Sequence, residues 1–143
     1  MGRRKTLVLP KMKKYHIASE YQSSRSYSPV VVTEGGRTIY LAGIIAPEDE
    51  HGRSLAGDFD EQVRCIFRKM SAQLSQVNAT LADVVSMTVF ITDVKLNTRM
   101  VEIRSEFFKS DFPASTLVTV AALNRPEMLV EITAIAVSDS RDC

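Results

Sequence analysis

A chain of 143 residues with 45% hydrophobic content can build one domain with a core of ordinary size and leaves no surplus for a second. A formal net charge of +1, with no basic stripe interleaved with aromatics, argues against nucleic-acid binding. No apolar run approaches the roughly eighteen residues that a helical membrane span requires.

Residues 1–26 read as an irregular, basic N-terminal arm. Its first fourteen residues hold six of the eighteen Lys and Arg (Arg3, Arg4, Lys5, Lys11, Lys13 and Lys14) and no acid, so the remainder carries twelve bases against seventeen acids. The only apolar run in the arm, Thr6-Leu7-Val8-Leu9, is too short for a signal-peptide core. Cys65 and Cys143 form neither a disulfide framework nor a metal set, and the expectation is a reduced, cytosolic protein. Ser23-Ser24-Arg25-Ser26 closes the arm as an exposed or docked segment.

Val30-Val31-Val32, Gly35-Gly36 and Thr38 to Ala42 predict a β-hairpin that ends at Gly43. Residues 44–57 are polar and marked by Gly and Pro, as a loop is. Asp58-Phe59-Asp60-Glu61 has the form of a capping box. Val63, Ile66, Phe67, Met70, Leu74 and Val77 then trace the apolar stripe of a helix of about five turns ending near Asn78. After a short turn at Leu81-Ala82-Asp83, residues 84–92 alternate as a half-buried strand, with Val85, Met87, Val89 and Ile91 inward. A second helix is predicted over residues 95–108 from Leu96, Met100, Ile103 and Phe107, and Pro113 prevents its continuation. Two strands close the chain, 113–123 and 128–137, joined by Asn124-Arg125-Pro126-Glu127. Both faces of the last strand are mainly apolar, as in a strand covered on both sides.

The order β-β-α-β-α-β-β predicts a single α+β domain with helices on one face of an antiparallel or mixed sheet. Two helices leave the other sheet face uncovered, which oligomerisation would remedy. Within the last strand Glu131 is the exception to the apolar pattern. Such a carboxylate is either a structural group tied to N–H donors or a neighbour's cation, or a general acid/base in a low-dielectric cleft. His16 and His51 lack paired His/Cys/Asp spacing and are expected to be solvated, with no metal site. No phosphate loop or nucleophile elbow is present.

Pro113-Ala114-Ser115-Thr116 opening one strand and Val130-Glu131-Ile132 in the next resemble the C-terminal signature of the YjgF/RidA family, the reactive-intermediate (enamine/imine) deaminases. The resemblance spans residues 27–137, leaving 138–143 as a tail. It implies a chorismate-mutase-like fold assembled as a homotrimer around a central barrel, with three small-molecule clefts between subunits and no cofactor. By the same resemblance Glu131 is the catalytic carboxylate. Tyr27, Ala42, Gly43, Ser115 and Leu117 would line the substrate site. Tyr27 is open to two readings, a phenol that hydrogen-bonds the ligand or an aromatic plug against the sheet. Gly43 leaves backbone N–H groups unobstructed, and Ala42 stands where a Ser is common.

One departure is chemically serious, because the family's Arg, which grips the substrate carboxylate, is replaced by Ser115. A neutral hydroxyl offers about 1 kcal/mol where a charged fork offers roughly two or three times that. Leu117 stands where many members have Cys and Val101 where some have Asn, so the cleft is expected to be more apolar. Weak or absent activity on 2-iminobutyrate follows, unless Arg25, Arg104 or Arg125 supplies a guanidinium from elsewhere in the chain. Two other functions compete: a non-catalytic metabolite-binding protein on the same scaffold, and an RNA-directed translation inhibitor or endoribonuclease, for which only the basic arm speaks.

Overall fold

A computed structural model describes Gly2 and residues 11–139. Arg3, Arg4, Lys5 and Cys143 lie outside the described residues. The elements are β1 (Lys13–Ile17), α1 (Glu20–Ser24), β2 (Val30–Glu34), β3 (Arg37–Ile44), α2 (Phe59–Ser75), β4 (Val84–Ile91), α3 (Asn97–Phe107), β5 (Ala114–Thr119) and β6 (Val130–Ser138). The mixed α+β architecture is therefore the expected one, with the additions described below.

The strand most apolar on both faces takes a central place. β6 pairs with β3 on one edge and β4 on the other, both antiparallel, and β5 joins β4 in parallel to give the order β3-β6-β4-β5. The parallel pair is what a helical crossover produces, and α3 is that crossover. α2 is capped by Asp58, whose carboxylate accepts from the Glu61 amide, and the predicted stripe of Val63, Ile66, Phe67, Met70 and Leu74 is fully buried. The Phe67 ring lies 5.0 Å from that of Phe107 and 5.5 Å from that of Phe108, centroid to centroid, so this aromatic cluster locks α2 to the end of α3.

Beside this stripe sits a polar residue that the periodicity does not predict. The Gln62 side chain is 0% exposed. Its Nε2 donates to the carbonyls of Leu55 and Glu127 at 2.9 and 2.8 Å, and its Oε1 accepts from the Leu129 amide at 2.9 Å. One side chain thus ties the loop before α2 and the entry to β6 to the same helix. Gln62→Leu leaves the Glu127 carbonyl and the Leu129 amide without this partner, while Leu55 O keeps the Asp58 amide at 3.0 Å, and we expect a loss of roughly 2–3 kcal/mol, measurable by urea denaturation.

Two expectations about the first forty residues are corrected. The arm is not irregular over residues 13–24, since β1 forms an antiparallel ribbon with β2, from Lys13↔Glu34 to Ile17↔Val30, and α1 follows behind a full capping box at Ser19 and Gln22. Nor do the strands flanking Gly35-Gly36 form the expected hairpin. Both glycines have positive φ, 71° and 79°, as such a turn needs. β2 is nevertheless taken by β1 and β3 by β6, because the apolar face of β3 belongs with the core. A smaller correction concerns β4. A register shift between Val84 and Ser86 makes Val84, not Val85, the buried residue at its start.

His16, expected to be solvated, has a side chain only 11% exposed. Its Nε2 is buried without a partner, and its Nδ1 is 3.7 Å from Asp111 Oδ1. Burial lowers its pKa below the ordinary 6.5, with the Asp111 carboxylate opposing and Lys14 reinforcing the shift. The unfolded chain therefore binds a proton at pH values where the fold resists one. Stability from this group is present above 6.5 and declines as pH falls toward the lower folded value. The melting temperature should drop between about pH 7 and pH 5, and the drop should be smaller in His16→Gln.

The two faces of the main sheet differ sharply. Met87, Val89, Ile91, Val130, Ile132, Ala134 and Ala136 are buried on the side that carries the helices. The alternate residues form the other face. There the ladder aligns Glu131 with Phe90 and Phe90 with Val118, while Tyr40 is 77% exposed. The helices thus cover one face only, as the element order implies. Among the described residues, no helix is long and apolar enough to cross a membrane.

Candidate functional site

At the free edge of β5, the strand and α3 flank an open cleft of about 170 Å³. Ser115 and Leu117 pair with Met87 and Val89 in the ladder, so they point to the helix side. Asn97, Val101 and Arg104 reach the same space because steps of four and three residues keep them on one helix face. Tyr27 is pinned beside the start of β5 by the Ser28 amide, which donates to Pro113 O at 3.0 Å, and by a bridge from Ser28 to Ala114. Arg25 completes the lining.

Arg104 organises this cavity. Its side chain is buried, 2% exposed, and each arm of the guanidinium has a fixed partner: Nε donates to Ser26 Oγ at 3.0 Å, Nη1 to Ser115 Oγ at 2.5 Å and Nη2 to Arg25 O at 3.0 Å. The two clasping residues, Arg25 and Ser26, owe their placement to a backbone turn in which Ser26 has φ 56°, the left-handed region that few non-glycine residues adopt. Ser26 Oγ donates in turn to Val101 O at 3.2 Å. All three of these acceptors are neutral. Two of the five guanidinium N–H groups have no partner among the described residues.

Burial lowers the pKa of Arg104 to about 10, the nearby Arg25 charge adds to the shift, and Tyr27 opposes it. Arg104 is still a cation at neutral pH. A buried charge without a counter-charge is costly, and such sites usually acquire an anion. Arg25 donates from Nη2 to Asn97 Oδ1 at 3.2 Å, again a neutral partner. Arg125, the third arginine considered from sequence, is engaged instead by Glu48 at 3.1 Å and by Glu127.

A second group of expected site residues lies elsewhere. Glu131 stands beside Gly43, where an added Cβ would fall 2.4 Å from Glu131 Oε1, so glycine leaves the carboxylate its room. The pairing of β3 with β6 shifts register between Leu41 and Ile44, which places exposed Ala42 and Gly43 at the irregularity. The Glu131 carboxylate is half-buried and makes no ion pair or hydrogen bond among the described residues. Its ladder row, Glu131, Phe90 and Val118, faces away from the helices, opposite to Ser115 and Leu117.

Tyr27, Ser115 and Leu117 are therefore brought together, with Val101, Arg25 and Arg104, whereas Ala42, Gly43 and Glu131 form a separate cluster. Within one chain Ser115 and Glu131 lie on opposite faces of the sheet. Ser26 and Asn97 were not anticipated. The spacing of Asn97, Val101 and Arg104 was available in the sequence as a helix face, but nothing in it marks Ser26 as left-handed.

The sequence profile of the Endoribonuclease L-PSP family matches residues 17–138. The chain is 36% identical over 101 residues to a RutC family protein of Pyrococcus abyssi, covering 71% of this chain and 79% of that protein. It is 32% identical over 111 residues to human 2-iminobutanoate/2-iminopropanoate deaminase, covering 78% and 79%. A crystal structure of a Yersinia pestis protein of the conserved Rid family superposes with a TM-score of 0.77 at 25% identity, covering 87% of this chain and 98% of that one.

Proposed function

Since the chain belongs to the Endoribonuclease L-PSP family, the YjgF/RidA proteins, we propose that it hydrolyses small 2-imino or 2-enamino acids in a cleft shared by two subunits of a homotrimer. One subunit supplies the carboxylate-binding half from Arg104, Ser115 and Tyr27. A neighbour supplies Glu131 beside Gly43, its uncovered sheet face packed inward around a central barrel.

Arg104 carries this reading. A buried guanidinium with neutral partners and two unclaimed N–H groups, set against the hydroxyl of Ser115, suits the carboxylate of a small organic acid. The guanidinium that the strand lacks at position 115 would thus arrive from α3. In this account the carboxylate fixes the register of the substrate, and Val101 and Leu117 accept its short carbon chain.

The chemistry then asks little of the protein. Glu131 orients a water molecule, takes one of its protons as oxygen bonds to the imine carbon, and returns a proton to the nitrogen of the carbinolamine. Glu131 then relays the proton of the carbinolamine hydroxyl to nitrogen as the C–N bond breaks, so that ammonia leaves and a 2-oxo acid remains. No cofactor takes part in these steps.

The test is ammonia release from a panel of 2-imino acids generated in situ by an amino-acid oxidase, with the oligomer mass measured in parallel by light scattering. Acceleration over the buffer rate, with a mass near three times 15.9 kDa, is expected. No acceleration on any member of the panel, or a monomeric mass, would overturn the proposal.

A further inference from the structure

Apart from Arg37, which donates to the Val77 carbonyl, the described arginines fall into two kinds. Arg53, Arg64, Arg68, Arg99 and Arg125 each lie within 4.0 Å of at least one carboxylate. Arg25 and Arg104 have neutral hydrogen-bond partners only and line the same cavity.

Their charges are close enough for Arg25 to disfavour protonation of Arg104, and no carboxylate counts among the groups acting on Arg104. Two cations held near each other at low dielectric repel, and a fold keeps such a pair at a cost. Glu131 offers no relief within the chain, because it faces the other side of the sheet. Arg104 has two N–H groups to give. Arg25, anchored only through one bond to Asn97, has four.

One carboxylate can saturate Arg104 and leave the second charge uncompensated. We infer that the cavity is built for a small organic dianion: a ligand whose first acid group is held by Arg104 and whose second acid group is held by Arg25. Resting on the reading of this cavity as the substrate's acid-binding half, the substrate class becomes 2-imino or 2-enamino dicarboxylic acids rather than their monocarboxylic counterparts. Val101 and Leu117 leave an apolar stretch between the two acid groups, which suits a skeleton of a few carbons.

Binding is the decisive measurement, because it does not require turnover. The full chain is titrated calorimetrically with succinate and butyrate, and with oxaloacetate and 2-oxobutyrate, at fixed ionic strength. The dicarboxylate of each pair is expected to bind at least ten-fold more tightly. In Arg25→Gln, which keeps a donor for Asn97, and in Arg25→Ala, that ratio should fall to within about two-fold of one. Equal affinities in the wild type, or a preference that survives both substitutions, would overturn the inference. A preference abolished by the Arg25 substitutions in a protein that hydrolyses no imine would uphold the dianion site while the catalytic reading fails. Turnover of monocarboxylic imines with no dicarboxylate preference would do the reverse.

Discussion

Arg104→Met should reduce kcat/KM on a 2-imino acid by roughly 30- to 1000-fold, the equivalent of about 2–4 kcal/mol for a charged partner lost from a buried site, without unfolding the protein. Methionine has nearly the length of the aliphatic part of arginine and no charge to desolvate. Replacing an uncompensated buried cation with an apolar group is commonly neutral or stabilising, although Ser26, Ser115 and the Arg25 carbonyl each lose a donor. Activity and stability should therefore part company: initial rates fall steeply while the denaturant midpoint holds or rises. Arg104→Lys keeps the charge but not the fork, and an intermediate rate is expected. Unchanged kcat/KM in Arg104→Met would remove Arg104 from substrate binding.

Glu131→Gln should lower kcat by about 10²- to 10⁴-fold, the range of a lost general acid/base. The substitution is isosteric, and the carboxylate has no ion pair to lose among the described residues, so the melting curve should change little. Affinity for a non-reacting 2-oxo acid should also be kept, since the acid groups of the ligand are held at Arg104 and Arg25 rather than at Glu131. Steady-state kinetics together with calorimetry separate the two effects. Turnover equal to that of the wild type would remove Glu131 from the chemistry and make it a structural residue. Loss of stability instead of kcat would point the same way.

How much of this was legible in the sequence depends on the distance over which each feature is decided. α2 and β6 declare themselves because burial imposes a period on many consecutive residues, Val63 to Leu74 in one and Val130 to Ala136 in the other. β1 does not, since Lys13-Lys14-Tyr15-His16-Ile17 is short and largely polar, and only its partner β2 makes it a strand. The hairpin expectation fails for a related reason, as the turn at Gly35-Gly36 is local but the choice of neighbour for each flanking strand is made by the core. Tyr27, Ser115 and Leu117 are grouped by the resemblance to the family. That Arg104, and not Arg125, fills the space beside Ser115 could not be foreseen, because eleven residues of chain separate them and the meeting depends on the rotation of α3 over β5. The division of the expected site between two sheet faces was equally hidden until the ladder fixed which residues share a row.

The clasp around Arg104 has an implication for how such a chain can diverge. Its charge comes from α3, its acceptors from the turn after α1 and from β5, so no one of these segments can be exchanged alone. An arginine restored at position 115 would meet a guanidinium already there, and a bulkier side chain at Ser26 would lose both a hydroxyl and a tolerated left-handed bend. Natural variants should accordingly change these positions in concert, the hydroxyl pair and the helix arginine being kept or surrendered as a set. A grafting experiment that moves only one of them into another member of the family should yield a protein poorer than either parent.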